Sequence, residues 1–144
     1  MSYATIDDLK LRLSERWEAL YGSGSGEFLE AEAVSDLAAA SAEIDGALGC
    51  RYAIPVTSDA VLPLLRVWCI GLAEELAWSR SGRGALPENL KDRVARIRLQ
   101  LERIADGSMQ LAAAAENSDR GGAFLVDSAE PVFSRKKLRG FGGA

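Results

Sequence analysis

The sequence predicts an all-α protein, a small bundle of about four helices followed by an extended C-terminal arm that can add short β segments. Three observations predict it. Apolar residues recur at steps of three and four along successive stretches of the chain, the spacing of one face of a helix. Those stretches are separated by helix stop signals: a Gly/Ser run at 22–26, an Arg-Tyr-Ala-Ile-Pro turn at 51–55 and a Gly-rich loop at 79–84. From Ser108 the pattern changes, and helical periodicity fades after the Leu111–Ala115 run, leaving spaced apolar anchors.

The first helix begins at Thr5, whose hydroxyl can accept from the Asp8 amide while Asp7 and Asp8 favour the positive helix end. Ile6, Leu9 and Leu13 form its stripe, and the pattern carries it to about Trp17 or Leu20. Tyr21-Gly-Ser-Gly-Ser-Gly26 then reads as a flexible link. A phosphate cradle would follow a strand and carry a Lys-Ser/Thr pair, and neither is present.

The hub of the bundle is the helix from Leu29 to Leu48. Leu29, Ala33, Leu37, Ala40, Ile44 and Leu48 make one apolar stripe. Ala31, Ser35, Ala38 and Ala42 make a second, small face that admits close approach of another helix. Glu30, Asp36, Glu43 and Asp45 fall largely off the apolar stripe and are expected to stay wet. Gly46 and Gly49 weaken the helix end, with Gly49 expected as a left-handed cap. The helix cannot run through Ile54-Pro55, because the residue before proline avoids helical angles.

Thr57-Ser58-Asp59 resembles a further helix start, with Pro63 in its first turn. The helix from Val61 to Ser79 is apolar nearly all round and is expected to be buried on most sides, with Trp68 and Trp78 as core or subunit-interface anchors. Glu74 and Glu75 are expected at its wet edge. The last helix opens at Pro87 and stops at Gly107. Leu90, Val94, Ile97, Leu101 and Ile104 trace a narrow bundle seam along it. The flanking Arg93, Arg96, Arg103, Lys91 and Arg98 read as a solvated face with pairs such as Asp92 to Arg96, or, alternatively, as a basic surface against an acidic partner or DNA.

These elements define a helical domain over 1–107 and a docking arm over 108–144. Phe124, Val126, Val132, Phe133, Leu138 and Phe141 are spaced along the arm as anchors for strand addition or groove filling on another protein. Arg135, Lys136, Lys137 and Arg139 sit among them and suit an acidic protein surface. The same cluster between phenylalanines has a nucleic-acid reading, which the acidic balance of the chain disfavours.

With 144 residues, 48% hydrophobic and 26% charged, the chain has enough apolar mass for one core. Its net charge of -4 argues against a whole-domain attraction to DNA or an acidic membrane. It has no His and 2 Cys, Cys50 and Cys69, which disfavours a zinc site, a disulfide framework and the common catalytic triads. Asp7-Asp8 and Glu74-Glu75 are adjacent on helices, about 100° apart, and so do not form an acid/base dyad. The opening Met1-Ser2-Tyr3-Ala4 lacks a signal-peptide pattern, and Arg66, Glu74 and Glu75 interrupt the most apolar stretch, so no membrane span is expected. The chain is therefore expected to act by binding, without catalysis, cofactor or metal.

Three separated motifs carry a resemblance: Tyr3-Ala-Thr-Ile-Asp-Asp-Leu9; Ala40-Ser-Ala-Glu-Ile-Asp45 followed by Leu48 and Arg51-Tyr-Ala-Ile-Pro55; and Val132-Phe-Ser-Arg135 with Leu138-Arg-Gly-Phe141. In this order the set resembles the head-tail joining proteins of Mu-like bacteriophages and prophages, also called head-completion or adaptor proteins. The resemblance implies a helical adaptor that forms a homo-oligomeric ring beneath the portal protein. Such a ring bridges the portal to a tail-side terminator or stopper protein, lines the channel through which genomic DNA passes, and sits at the virion neck. It also implies that the arm, through Val132, Phe133, Leu138 and Phe141, docks on the portal. Arg51 and Tyr52 are candidates for the turn itself or for a subunit contact. The alternative is a small helical DNA-binding or packaging-accessory protein.

Overall fold

The computed structural model describes residues 1–22 and 29–111. Among them it forms α1 (Ile6–Leu13), α2 (Arg16–Tyr21), α3 (Glu30–Leu48), α4 (Leu62–Ser81) and α5 (Glu88–Asp106), with no strand. Thr5 caps α1 as its sequence predicts: its hydroxyl accepts the Asp8 amide at 3.2 Å, and the Asp8 carboxylate accepts the Thr5 amide at 2.9 Å. The first helix is shorter than its periodicity implies. Ser14 takes a left-handed conformation (φ 49°), its amide closes on the Lys10 carbonyl at 2.8 Å, and a second short helix starts two residues on. No glycine or proline marks this break. Packing imposes it, since α1 and α2 both seat against α3 and α4.

Leu37, Ala40, Ile44 and Leu48 of α3 are buried, as their spacing requires. Its C-terminus differs from expectation. Gly49 is right-handed (φ -59°), and the Arg51 and Tyr52 amides both turn back onto the Leu48 carbonyl at 2.8 Å, so the turn closes without a left-handed cap. The Ile54–Pro55 peptide is cis. α4 starts at Leu62, one residue from the expected Val61, although its cap differs from the one Thr57-Ser58-Asp59 suggests. The Ser58 carbonyl, not a Ser or Thr side chain, receives the amides of Val61 and Leu62, and Pro63 occupies the first turn. α5 matches its sequence closely: Gly107 is left-handed (φ 91°), and all five seam residues from Leu90 to Ile104 are buried. Each such side chain, fully buried, contributes roughly 1.5–3 kcal/mol relative to exposure.

α3 and α4 make the most extensive packing, and α5 lies against both. α4 and α5 pack tightly at Gly71, where a Cβ would come within 2.9 Å of Ile97 Cδ1. Two surfaces remain uncovered among the described residues. The small face of α3 (Ala31, Ser35, Ala38, Ala42) is exposed, because α4 and α5 use the larger apolar stripe. The N-terminal half of α4 is less buried than its composition suggests: Leu64 is exposed and Val67 is 59% exposed. Trp68 is in the core; Trp78 is half-buried and its indole N–H donates to the Ala85 carbonyl at 3.2 Å. Among the described residues no helix is long and apolar enough to cross a membrane.

Candidate functional site

Motifs far apart in sequence converge at the C-terminal end of α3. The Tyr3 amide donates to Ser41 Oγ at 3.1 Å. The Tyr3 phenol donates to Asp45 and accepts the Val56 amide at 3.0 Å. One side chain thus ties the N-terminal segment both to α3 and to the Arg51–Pro55 turn. Burial, reinforced by the bond to Asp45, pushes this phenol up to about 12. Ser41 in turn lies 3.3 Å from the buried Cys69 thiol on α4.

The turn itself also reaches the end of α5. Tyr52 is 1% exposed, and its phenol accepts the Leu111 amide at 2.9 Å. Arg51 packs its guanidinium over Gly107, where a Cβ would come within 2.2 Å of Nη1. Gly107 therefore has two reasons to be glycine, its left-handed backbone and the absence of room. Beside it, the Ser108 amide donates to Asp106 at 2.7 Å and lowers that carboxyl, with Arg103 and Arg51 adding to the effect. The two turn residues that the sequence singles out thus hold the chain just past the end of α5, at Gly107 and Leu111. The arm residues Val132, Phe133, Arg135, Lys136, Lys137, Leu138, Arg139 and Phe141, and Phe124 and Val126 with them, lie outside the described residues.

The polar interior differs from the sequence expectation. Asp36, expected to stay wet, is 6% exposed. It accepts the Tyr21 phenol at 2.7 Å and both terminal nitrogens of Arg80 at 2.7 and 2.9 Å. Burial and the bond to Asp36 hold the Tyr21 phenol well above its ordinary range. Arg80 also pairs with Glu32 at 2.9 Å and lies over the Tyr21 ring, which stacks on Trp17. Glu74, expected at a wet edge, is 0% exposed between Arg16 of α2, at 2.8 Å, and Arg93 of α5, at 3.3 Å. Arg16 reaches Glu74 Oε1 off the hydrogen-bond direction, so that oxygen has an ion-pair partner but no aligned bond. A buried carboxylate survives there because two guanidinium groups offset its lost hydration. Neither burial could be read from helix periodicity, because the partners come from other helices.

On the flank of α5, Arg93 and Arg98 are committed to neighbouring helices, while Arg96 and Arg103 are exposed and the expected Asp92–Arg96 pair does not form. Arg98 spans Glu43 of α3 and Glu75 of α4, with contacts of 2.8 and 2.7 Å, and the two carboxylates raise its guanidinium further above its ordinary range. It roofs a shallow cleft of about 250 Å³ lined by Ala47, Leu101, Glu102 and Ala105. Among the described residues, no group of His, Cys, Asp and Glu is assembled to hold a metal ion. The buried carboxylates are all engaged by arginines, and the arrangement fastens helices together.

No curated protein matches the chain. The family described as bacteriophage Mu, Gp36 matches residues 3–126, a span that takes in all five helices and stops short of Val132. With that span covered, the chain belongs to the bacteriophage Mu Gp36 family.

Proposed function

We propose that this chain is a head-to-tail adaptor of a Mu-like phage. Copies of it form a ring beneath the portal at the neck of the virion, after assembly in the bacterial host cytoplasm. The ring joins the DNA-filled capsid to a tail-side terminator or stopper protein, and DNA passes through it without sequence recognition. The mechanism is binding, without catalysis. Ring closure requires a heterologous contact, one patch of each subunit meeting a different patch of the next. The exposed side chains on α3 and α4, such as Val34 and Val67, are available for it. The C-terminal arm supplies the contact to the portal through Val132, Phe133, Leu138 and Phe141, with Arg135, Lys136, Lys137 and Arg139 facing an acidic surface.

The observation that carries this reading is the family match over residues 3–126. The clasp of the Arg51–Tyr52 turn on Leu111 supports it, because a docking arm works best from a fixed origin. The test is deletion from Ser128 onward in an otherwise intact phage. The reading expects a folded helical protein that no longer joins capsids to tails. Normal joining by the truncated protein, or a solitary monomer in mature particles, overturns it.

A further inference from the structure

A glycine cap commonly folds the chain back onto the last turn of its own helix. Here the chain is caught again four residues later. After α5 stops at Asp106, the Met109 amide folds back onto the Arg103 carbonyl at 2.9 Å. Leu111 then re-enters the core as a buried residue, and its amide is spent on the Tyr52 phenol, 59 positions away. Tyr52 cannot serve this amide by chance rotation: it is almost completely enclosed, so its hydroxyl position is fixed by packing. Arg51, the preceding residue, closes the other side by lying over Gly107. The turn between α3 and α4 therefore grips the α5 exit at two points, 107 and 111.

We infer that Arg51 and Tyr52 are positioning residues for the C-terminal segment, fixing on the helical body the point, Leu111, from which that segment starts. This rests on the adaptor reading, in which that segment contacts the portal. The physical gain is in entropy. A tether that begins at a fixed point on a rigid body samples less volume than one beginning at a frayed helix end, so less freedom is lost when it docks. The same grip makes the spatial relation between helical body and bound arm reproducible from subunit to subunit, which a closed ring requires.

The experiment uses the full-length chain carrying Tyr52→Phe, which keeps the ring and removes only the acceptor oxygen. Helix content should be unchanged, and hydrogen exchange at the Leu111 amide should accelerate by about tenfold or more. Joining of purified heads to tails should fall further than for Ile97→Val, a core variant selected for a matched thermal midpoint and remote from the clasp. Gly107→Asn, which tolerates the left-handed backbone but displaces the Arg51 guanidinium, should reproduce the loss and keeps the test open if Tyr52→Phe folds poorly. Unchanged exchange at Leu111, or joining by both variants equal to that of Ile97→Val, overturns the inference. The failure of the adaptor reading looks different: there, deletion from Ser128 leaves joining intact. If deletion abolishes joining while Tyr52→Phe and Gly107→Asn leave it unaffected, the adaptor reading stands and the clasp is refuted.

Discussion

The Tyr21 phenol donates to Asp36 Oδ2 at 2.7 Å inside the bundle, and the Arg80 guanidinium holds both oxygens of the same carboxylate. α2, α3 and α4 are joined at this one acid. Removing it leaves the Tyr21 phenol without its acceptor and Arg80 with Glu32 alone. Asp36→Ala should cost about 2–4 kcal/mol, toward the lower side of the range for a broken buried pair because Arg80 keeps some access to water. Urea unfolding checks this, and Asp36→Asn should fall between the variant and the parent.

Alkali should unfold the protein through its buried phenols. Tyr3 is pushed up to about 12, by burial first and the Asp45 bond second, and Tyr21 is raised further by burial and Asp36. In the unfolded chain both phenols ionise near pH 10, whereas the folded chain still holds their protons. The unfolded state then binds fewer protons, so stability falls as pH rises. The contribution is intact below about pH 10 and, for Tyr3, is lost by about pH 12. Urea midpoints measured across that window should drop, and Tyr3→Phe should flatten part of the fall.

Glu74 depends on two arginines at once. Arg16→Ala or Arg93→Ala alone leaves the carboxylate one partner; the pair of substitutions strands a buried charge. The double variant should lose more than the sum of the singles, by about 1–3 kcal/mol. A double-mutant cycle by denaturant unfolding gives the coupling, and strict additivity would show that each arginine acts alone.

At the α4–α5 crossing, Gly71→Ala gains helix propensity but pushes a Cβ to 2.9 Å from Ile97 Cδ1. The two effects should nearly cancel, within about 1 kcal/mol. Ile97→Val removes that terminal carbon and alone should cost about 0.5–1.5 kcal/mol. Together the two substitutions should cost less than their sum, readable as a thermal midpoint above the additive value.

Thr5→Ala should cost about 1 kcal/mol by freeing the Asp8 amide. The Thr5 backbone N–H, and secondarily its hydroxyl, hold the Asp8 carboxyl below its ordinary range. A lowered carboxyl stabilises the fold above its unfolded value and loses that contribution as pH falls through the folded one. Thr5→Ala should therefore reduce the acid sensitivity of the thermal midpoint as well as its height at neutral pH.

Local signals in the sequence located what local physics decides. The Thr5–Asp8 cap, the Leu90–Ile104 seam and the Gly107 stop each depend on neighbours within one or two turns, and each forms where its residues imply. Ser14 breaks a helix that its own spacing would continue, and Asp36 and Glu74 are drawn inward by Arg80, Arg16 and Arg93 from other helices. Such burial is fixed by pairing across the fold, which a periodicity count along one helix does not contain. The same holds for the site: Arg51 and Tyr52 stand out in the sequence, while their grip on Gly107 and Leu111 exists only once α5 has come alongside α3.

Tyr3 and Leu111 are fastened to the same short stretch, one through Asp45 and Val56 and the other through Tyr52. The first and last described residues of the helical body are consequently held at one pole, around the α3–α4 turn. Fluorophores placed at residues 2 and 110 should show efficient energy transfer, and Tyr52→Phe should broaden the distance distribution between them.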